Sequence, residues 1–329
     1  MSTRLSRASY VVALVGATGD LGNHVANVFL TSYRPFFSKI VVIARDTTTA
    51  SAKQLAEQGA ELRQVNSADP VQSFTQAFAG VDVVVSLVGN APLEYKDALF
   101  DGALKAGVKA YLPSEYGSDY RVNDFPGWDD VAWIAKAKHV RRARELAQGK
   151  VKIIAVYTGL FLEGALGAYS SAIVGFDTKN LTYTAVGSLD AKTATTTKAD
   201  IGRALAELSL LALSPELASQ VPDDVHIAGD NVSYRDVQGI AHRVRDELGL
   251  NKADIVLKSE DLEAYRATVR EDQLKKPAPG PLRHIRILIA EGKMDFSKNH
   301  NELVNPGQKV WKWGTVEEFI RAKGSKFFQ

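Results

Sequence analysis

A glycine-rich turn set directly behind an apolar strand restricts this chain more than any other feature. Tyr10-Val-Val-Ala-Leu-Val15 runs without a spacer into Gly16-Ala-Thr-Gly19-Asp-Leu-Gly22, and helical periodicity follows over Leu21–Leu30. Strand, glycine turn and helix in that order make the βα entry of a dinucleotide-binding fold. Gly16 allows the tight turn, Gly19 lets backbone N–H groups approach a pyrophosphate, and Gly22 lets helix and strand pack closely. Thr18, Asp20 and Leu21 complete the loop, so Gly16, Thr18, Gly19, Asp20, Leu21 and Gly22 are the first cofactor-binding candidates. An ordinary βα turn also accommodates such glycines, so the rhythm after the motif has to decide.

That rhythm is βαβ. Apolar, β-branched runs at Tyr10–Val15, Lys39–Ala44, Glu61–Val65, Val81–Leu87, Ala110–Leu112 and Ile153–Tyr157 read as strands. Between them Leu21–Leu30, Ala50–Gln58, Val71–Ala79, Lys96–Ala106 and Val131–Gln148 read as helices, punctuated by Gly59, Gly80, Gly107 and Gly149. The expected class is α/β: a doubly wound parallel-sheet Rossmann fold over residues 1–158, with a smaller C-terminal substrate lobe over residues 159–329. In the second half Leu181–Val186 and Asp224–Ile227 read as strands, Lys198–Leu213 and Tyr234–Leu248 as helices, and Ser259–Glu271 as a charged helix. Segments near 190–235 are expected to return to the first domain.

Charge and cysteine content remove several function classes. Forty Lys and Arg against 38 Asp and Glu leave a net charge of +2, too little for electrostatic capture of nucleic acid or membranes. The absence of cysteine excludes disulfides, thiolate nucleophiles and Cys-ligated zinc, and the six histidines show no metal-binding spacing. No metal site is expected. Arg4 and Arg7 ahead of the first apolar run imitate a secretion signal, but that run enters the glycine motif instead of a cleavage site. Ile153–Phe176 is broken by Glu163 and several glycines, short of the ~18 apolar residues of a span. A cytoplasmic monomer or homodimer acting on a small-molecule substrate is the expectation.

At the end of the second strand, where an NAD site places a carboxylate on the ribose, the sequence reads Ile43-Ala-Arg45-Asp46. A guanidinium there suits the 2′-phosphate of NADPH, and Lys53 adds a second cation; Asp46 argues the other way, and both cations also read as solvated charges. Gly89 and Asn90 leave the fourth strand at the carboxyl edge and join the cofactor candidates.

The Tyr-x-x-x-Lys pair by which short-chain dehydrogenases deliver a proton is missing: no Tyr has Lys four positions on. Three segments carry a resemblance instead. Gly16-Ala-Thr-Gly-Asp-Leu-Gly22, Leu112-Pro-Ser-Glu-Tyr-Gly117, and Trp133-x-x-Lys136 followed by Val140-Arg-Arg resemble the NmrA-like, isoflavone reductase-like branch of atypical short-chain dehydrogenases. Their counterparts there are the glycine loop, a Pro-Ser-Glu-Phe-Gly segment and a Phe-x-x-Lys element ahead of Val-Arg-Arg. The likeness covers the first half of the chain and is loose in the second. It implies an NADPH-dependent oxidoreductase acting on carbonyl, enone, quinone or phenylpropanoid-like molecules of secondary metabolism, with the element's lysine, here Lys136, as general acid/base. It equally admits a non-catalytic NADP(H)-binding redox sensor of the NmrA type.

Trp133 stands where the family has Phe, and one extra residue separates Lys136 from Val140, so Lys138 competes for the role. On a helical wheel Trp133, Val140, Ala143 and Ala147 fall within about 60° of Lys136, whereas Lys138 lies about 200° away. Lys138 shares its face with Arg141, Arg142 and Glu145. Lys136 is therefore on the apolar stripe, where desolvation lowers an ammonium pKa, or where a snorkelling stem carries the charge to water.

The remaining candidates leave predicted strands at the same edge. Ser114 and Tyr116 follow the fifth strand, with Glu115 as a structural ion-pair partner; Thr158 and Phe161 follow the sixth. Phe125 and Trp128 are candidates for an aromatic lid or for packing, and His24 and His139 have no evident partners.

Overall fold

The computed structural model describes residues 9–66, 68–89, 91–167, 173–250, 253–277 and 280–328. Six parallel strands, β1 (Tyr10–Val15), β2 (Phe37–Ala44), β3 (Glu61–Gln64), β4 (Val83–Ser86), β5 (Ala110–Leu112) and β6 (Lys152–Ile153), lie in the order β3-β2-β1-β4-β5-β6. The order reverses between β1 and β4, the switch point where doubly wound folds bind ligands. The joining helices are α1 (Asp20–Leu30), α2 (Ala50–Glu57), α3 (Pro70–Ala77), α4 (Leu93–Lys105) and α5 (Val131–Ala147).

Period-two alternation divides the sheet between two cores. Val12 and Leu14 of β1 point to the face packed with Val25 and Phe29 of α1, while Ala13 and Val15 point to Phe74, Leu99 and Phe100 of α3 and α4. Polar caps start most of these helices: Thr49 for α2, Asp69 for α3 and Asp130 for α5 each accept a backbone N–H. At the end of α5 Gly149 has the positive φ expected of it, and Gln148 before it takes the left-handed conformation as well.

Beyond β6 follow β7 (Ala155–Tyr157), β8 (Leu160–Phe161), α6 (Leu162–Ala165), β9 (Phe176–Asp177), β10 (Thr182–Val186), β11 (Thr193–Thr196) and α7 (Lys198–Leu213). Next come β12 (Asp224–His226), β13 (Asp230–Val232), α8 (Tyr234–Glu247), β14 (Val256–Glu260), α9 (Leu262–Lys275), α10 (Leu282–Ala290), α11 (Asn301–Val304) and α12 (Val316–Lys323). The run Lys152–Tyr157 divides its pairing: β6 pairs with β5, Ile154 donates to the Tyr111 carbonyl at 3.0 Å, and β7 pairs in parallel with β12. Helix α7 buries Ile201, Leu205 and Leu208 in the same core as α1.

A separate core joins α8, α10, α12 and the sheet β14-β10-β9. The expected helix over Ser259–Glu271 begins later than its charge pattern implies. Ser259 and Glu260 belong to β14, paired with Ala185 and Val186, and Asp261 caps α9. No described helix is long and apolar enough to cross a membrane.

Candidate functional site

The glycine loop is built as its residue types require. Gly16 has φ of +87°, and a Cβ on Gly22 would lie 2.0 Å from the Gly16 oxygen and 2.8 Å from the Ala17 Cα. Helix α1 is thus seated backbone-on-backbone against the turn. Gly19 is its N-cap with no side-chain hydrogen bond, so the first-turn N–H groups are not satisfied by a capping side chain.

Two adjoining cavities lie at this edge, the first of them against the loop. One, of about 450 Å³, is lined by Gly16, Thr18, Gly19, Arg45, Gly89 and Tyr95, among others. The second, of about 280 Å³, shares Arg45, Pro92 and Tyr95 and extends to Val65, Asn66 and Pro70. Arg45 is exposed at their junction and makes no hydrogen bond or ion pair among the described residues. Asp46 is turned to its own loop, where it accepts from Thr48 N at 2.8 Å and Thr48 Oγ1 at 2.6 Å, bonds that hold its carboxyl below the usual range. The residue that argued for NAD is therefore engaged locally. Lys53 is exposed on α2 and lines neither cavity.

A third cavity, of about 260 Å³, opens beyond α1 and is lined by Asp20, Tyr116, Gly117, Leu160, Phe161 and Lys198, with Leu282 and Ile285 of α10. Tyr116 donates to the Ser86 carbonyl at 3.0 Å, tying the β5 exit to the β4 exit. Ser114 is buried and lines none of these cavities, and Leu21 and Gly22 pack inward. Thr158 is fully buried, with its hydroxyl on the Gly159 carbonyl; its backbone N–H donates to Gly117, so its part is to fasten two loops. Asn90 lies outside the described residues.

Lys136 stands one residue behind the Tyr116–Gly117 wall. Its Nζ donates to the Glu115 carbonyl at 3.1 Å, and burial of the ammonium lowers its pKa against the opposing charges of Glu115 and Asp130. Trp133, Val140, Ala143 and Ala147 are buried beside it, whereas Lys138 is exposed. Glu115 is 2% exposed, its Oε2 has no hydrogen-bond partner among the described residues, and burial pushes its carboxyl up to about 7. Lys96, also buried, donates to the Gly89 and Ala91 carbonyls at 2.9 and 2.8 Å and fixes the β4 exit. Buried Lys96, buried Glu115 and the partly exposed Lys136 thus share the floor of the edge.

The aromatic pair Phe125 and Trp128 is packed shut. Both are 4% exposed; the guanidinium of Arg266 lies 5.2 Å from each ring, and His284 Nε2 meets the Trp128 carbonyl at 3.1 Å. His139 is buried between Tyr111 Oη, 3.0 Å away, and Asp97 Oδ1, 2.7 Å away. His24 is exposed and, among the described residues, meets the Asp20 carbonyl. No group of residues suited to a metal ion occurs among the described residues.

Sequence reasoning missed Tyr95, Lys96 and Lys198. Tyr95 and Lys96 follow Gly89 by six and seven residues, a proximity that was readable. Lys198 reaches the site through a partner 178 positions away, which no local pattern reveals.

Residues 8–242 match the model of the NmrA-like family. The Aspergillus flavus protein named oxidoreductase aprR is 29% identical over 194 residues, covering 59% of this chain and 62% of that one. Phenylcoumaran benzylic ether reductase PT1 of Pinus taeda is 33% identical over 137 residues, covering 39% of this chain and 40% of that one. The match thus spans less than two thirds of either relative. The solved structure of AtPrR2 with NADP+ and (+)pinoresinol superposes with a TM-score of 0.73 at 19% identity, covering 97% of this chain and 99% of that one, a likeness of fold.

Proposed function

This chain belongs to the NmrA-like family, and from that premise we propose that it is an NADPH-dependent reductase of small molecules. In this reading residues 1–158 hold the cofactor and residues 159–329 choose the substrate. The observation that carries it is the buried ammonium of Lys136 at the β5 exit, bonded to the Glu115 carbonyl next to Tyr116 and Gly117, which line the largely apolar third cavity.

The residues present fit the cofactor. The uncapped α1 N-terminus, and the Gly19 position where a Cβ would meet nothing nearer than the Gly16 oxygen at 3.3 Å, suit a diphosphate; Arg45 suits a 2′-phosphate. When bound, NADPH supplies a hydride to an electrophilic carbon. This chain's residues do the rest. Gly16, Thr18 and Gly19 seat the diphosphate, Arg45 selects the phosphorylated ribose, and Tyr116 and Phe161 wall the reacting end. Lys136, with its pKa lowered by burial, gives the matching proton to the substrate directly or through water, so that hydride and proton add across one double bond. Carbonyl, enone, quinone and phenylpropanoid-like acceptors satisfy that chemistry.

The test is NADPH oxidation, followed by absorbance, with a panel of such acceptors and the variants Lys136→Ala and Lys138→Ala. Turnover lost only in Lys136→Ala supports the assignment; loss only in Lys138→Ala overturns it. One observation favours a second reading, a non-catalytic NADP(H) sensor: Lys136 lines none of the three cavities and is held by a backbone carbonyl. Tight NADPH binding with no turnover across the panel would select it.

A further inference from the structure

The third cavity has a polar feature that the reductase reading leaves unused. Its walls include Leu160, Phe161, Ala165, Val174, Leu282 and Ile285, and the charged groups lining it are Asp20 and Lys198. Lys198 is the first residue of α7, and its backbone N–H donates to both Glu163 carboxylate oxygens, at 3.0 and 3.2 Å. The stem of this side chain therefore starts from a fixed point. Its ammonium bonds both oxygens of Asp20 at 2.6 Å.

The two partners are held very unequally. The Lys198 side chain is 9% exposed, whereas that of Asp20 is 78% exposed. A solvated carboxylate that swings away is rehydrated at little cost, but a buried ammonium left alone pays for its desolvation until another anion replaces the first. Asp20 is also the residue directly after Gly19, at the α1 N-terminus where a diphosphate is seated in the reading above. A diphosphate seated there would repel the Asp20 carboxylate toward water and free Lys198 for an anion in the cavity.

We propose that Lys198 is an anion-recognising group of the substrate cavity, selecting apolar molecules that carry a carboxylate or phenolate over their neutral analogues. The proposal rests on the reductase reading and narrows its substrate class. Asp20 is the placeholder that the cofactor displaces, so acid recognition follows cofactor binding.

Calorimetric titration of the NADP+-saturated protein with 4-methoxycinnamate and with its methyl ester tests this, because the pair differs in the anionic group. The acid is expected to bind more tightly than the ester by about tenfold or more, the range of a hydrogen bond to a charged group. Lys198→Met is expected to abolish the difference by weakening the acid alone. Asp20→Asn, which removes the competing anion, is expected to give the cofactor-free protein the acid preference that the wild type shows only with NADP+ bound, and it keeps the test open should Lys198→Met fold poorly. Equal binding of acid and ester, binding of neither, or a preference that survives in Lys198→Met overturns the proposal. NADPH affinity is measured alongside: a loss there in Lys198→Met, without acid preference in the wild type, makes the cofactor diphosphate the anion and also overturns it. Failure of the wild type to bind NADP+ at all would sink the reductase reading itself, a distinct result.

Discussion

Glu115 gives the site a measurable dependence on pH. Burial moves its carboxyl from 4.5 to about 7, although Lys136, Lys96, Arg144 and a hydrogen bond from Tyr120 all pull it down. The folded protein therefore holds this proton more tightly than the unfolded chain. The stabilisation is complete below pH 4.5 and is lost as pH rises through about 7. At ~1.4 kcal/mol per pH unit the loss is about 3 kcal/mol, undiluted by solvent because the residue is 2% exposed. Glu115→Gln keeps the volume and an acceptor for Tyr120 but removes the titration. Urea unfolding followed by tryptophan fluorescence, at about pH 5 and about pH 8, gives both stabilities. Because part of the loss is already taken at pH 5, the wild-type value minus the variant value is expected to fall by about 2.5 kcal/mol between the two. A difference constant to within about 0.5 kcal/mol would refute the linkage and the desolvation that produces it. The same substitution removes the charge that holds the Lys136 pKa up, so the alkaline limb of any activity profile should move to lower pH.

Two further outcomes follow from the cofactor edge. Gly22→Ala sets a methyl 2.0 Å from the Gly16 oxygen, backbone that yields only if α1 leaves β1, and a cost of ~1–3 kcal/mol or more is expected. A melting temperature equal to or above the wild type, with intact NADPH binding, would contradict the contact. Arg45→Ala should weaken NADPH by about tenfold or more while leaving NADH nearly unchanged, read by fluorescence titration of both; parallel losses would remove Arg45 from the phosphate.

The first half was legible because each element carried its own signal. β1, the Ile40–Ala44 stretch of β2 and Val83–Val85 of β4 are continuous apolar runs, as strands covered on both faces must be, and the glycine motif announced α1. The second half was harder because its strands lack such runs. β11 is Thr-Ala-Thr-Thr, buried throughout yet without apolar alternation, and Lys258, Ser259 and Glu260 of the exposed β14 resemble the helix that follows. At the site, the inward placement of Lys136 and the exposure of Lys138 were readable from helical phase. The environment of Glu115 was not, because its neighbours Lys96, Tyr120 and Lys136 come from three different segments. His139 likewise looked like one more basic residue of α5 until tertiary packing set it between Tyr111 and Asp97.

The shared allegiance of Lys152–Tyr157 bears on how such a chain diversifies. Because β7 completes its pairing with β12, a cut after Thr158 yields no exchangeable cassette: the leading fragment keeps a strand edge with bare N–H and C=O groups. A nascent chain faces the same exposure until His226 has emerged from the ribosome. Replacing single wall residues of the third cavity, such as Leu160, Leu282 or Ile285, leaves that pairing intact, whereas swapping whole halves between relatives breaks it.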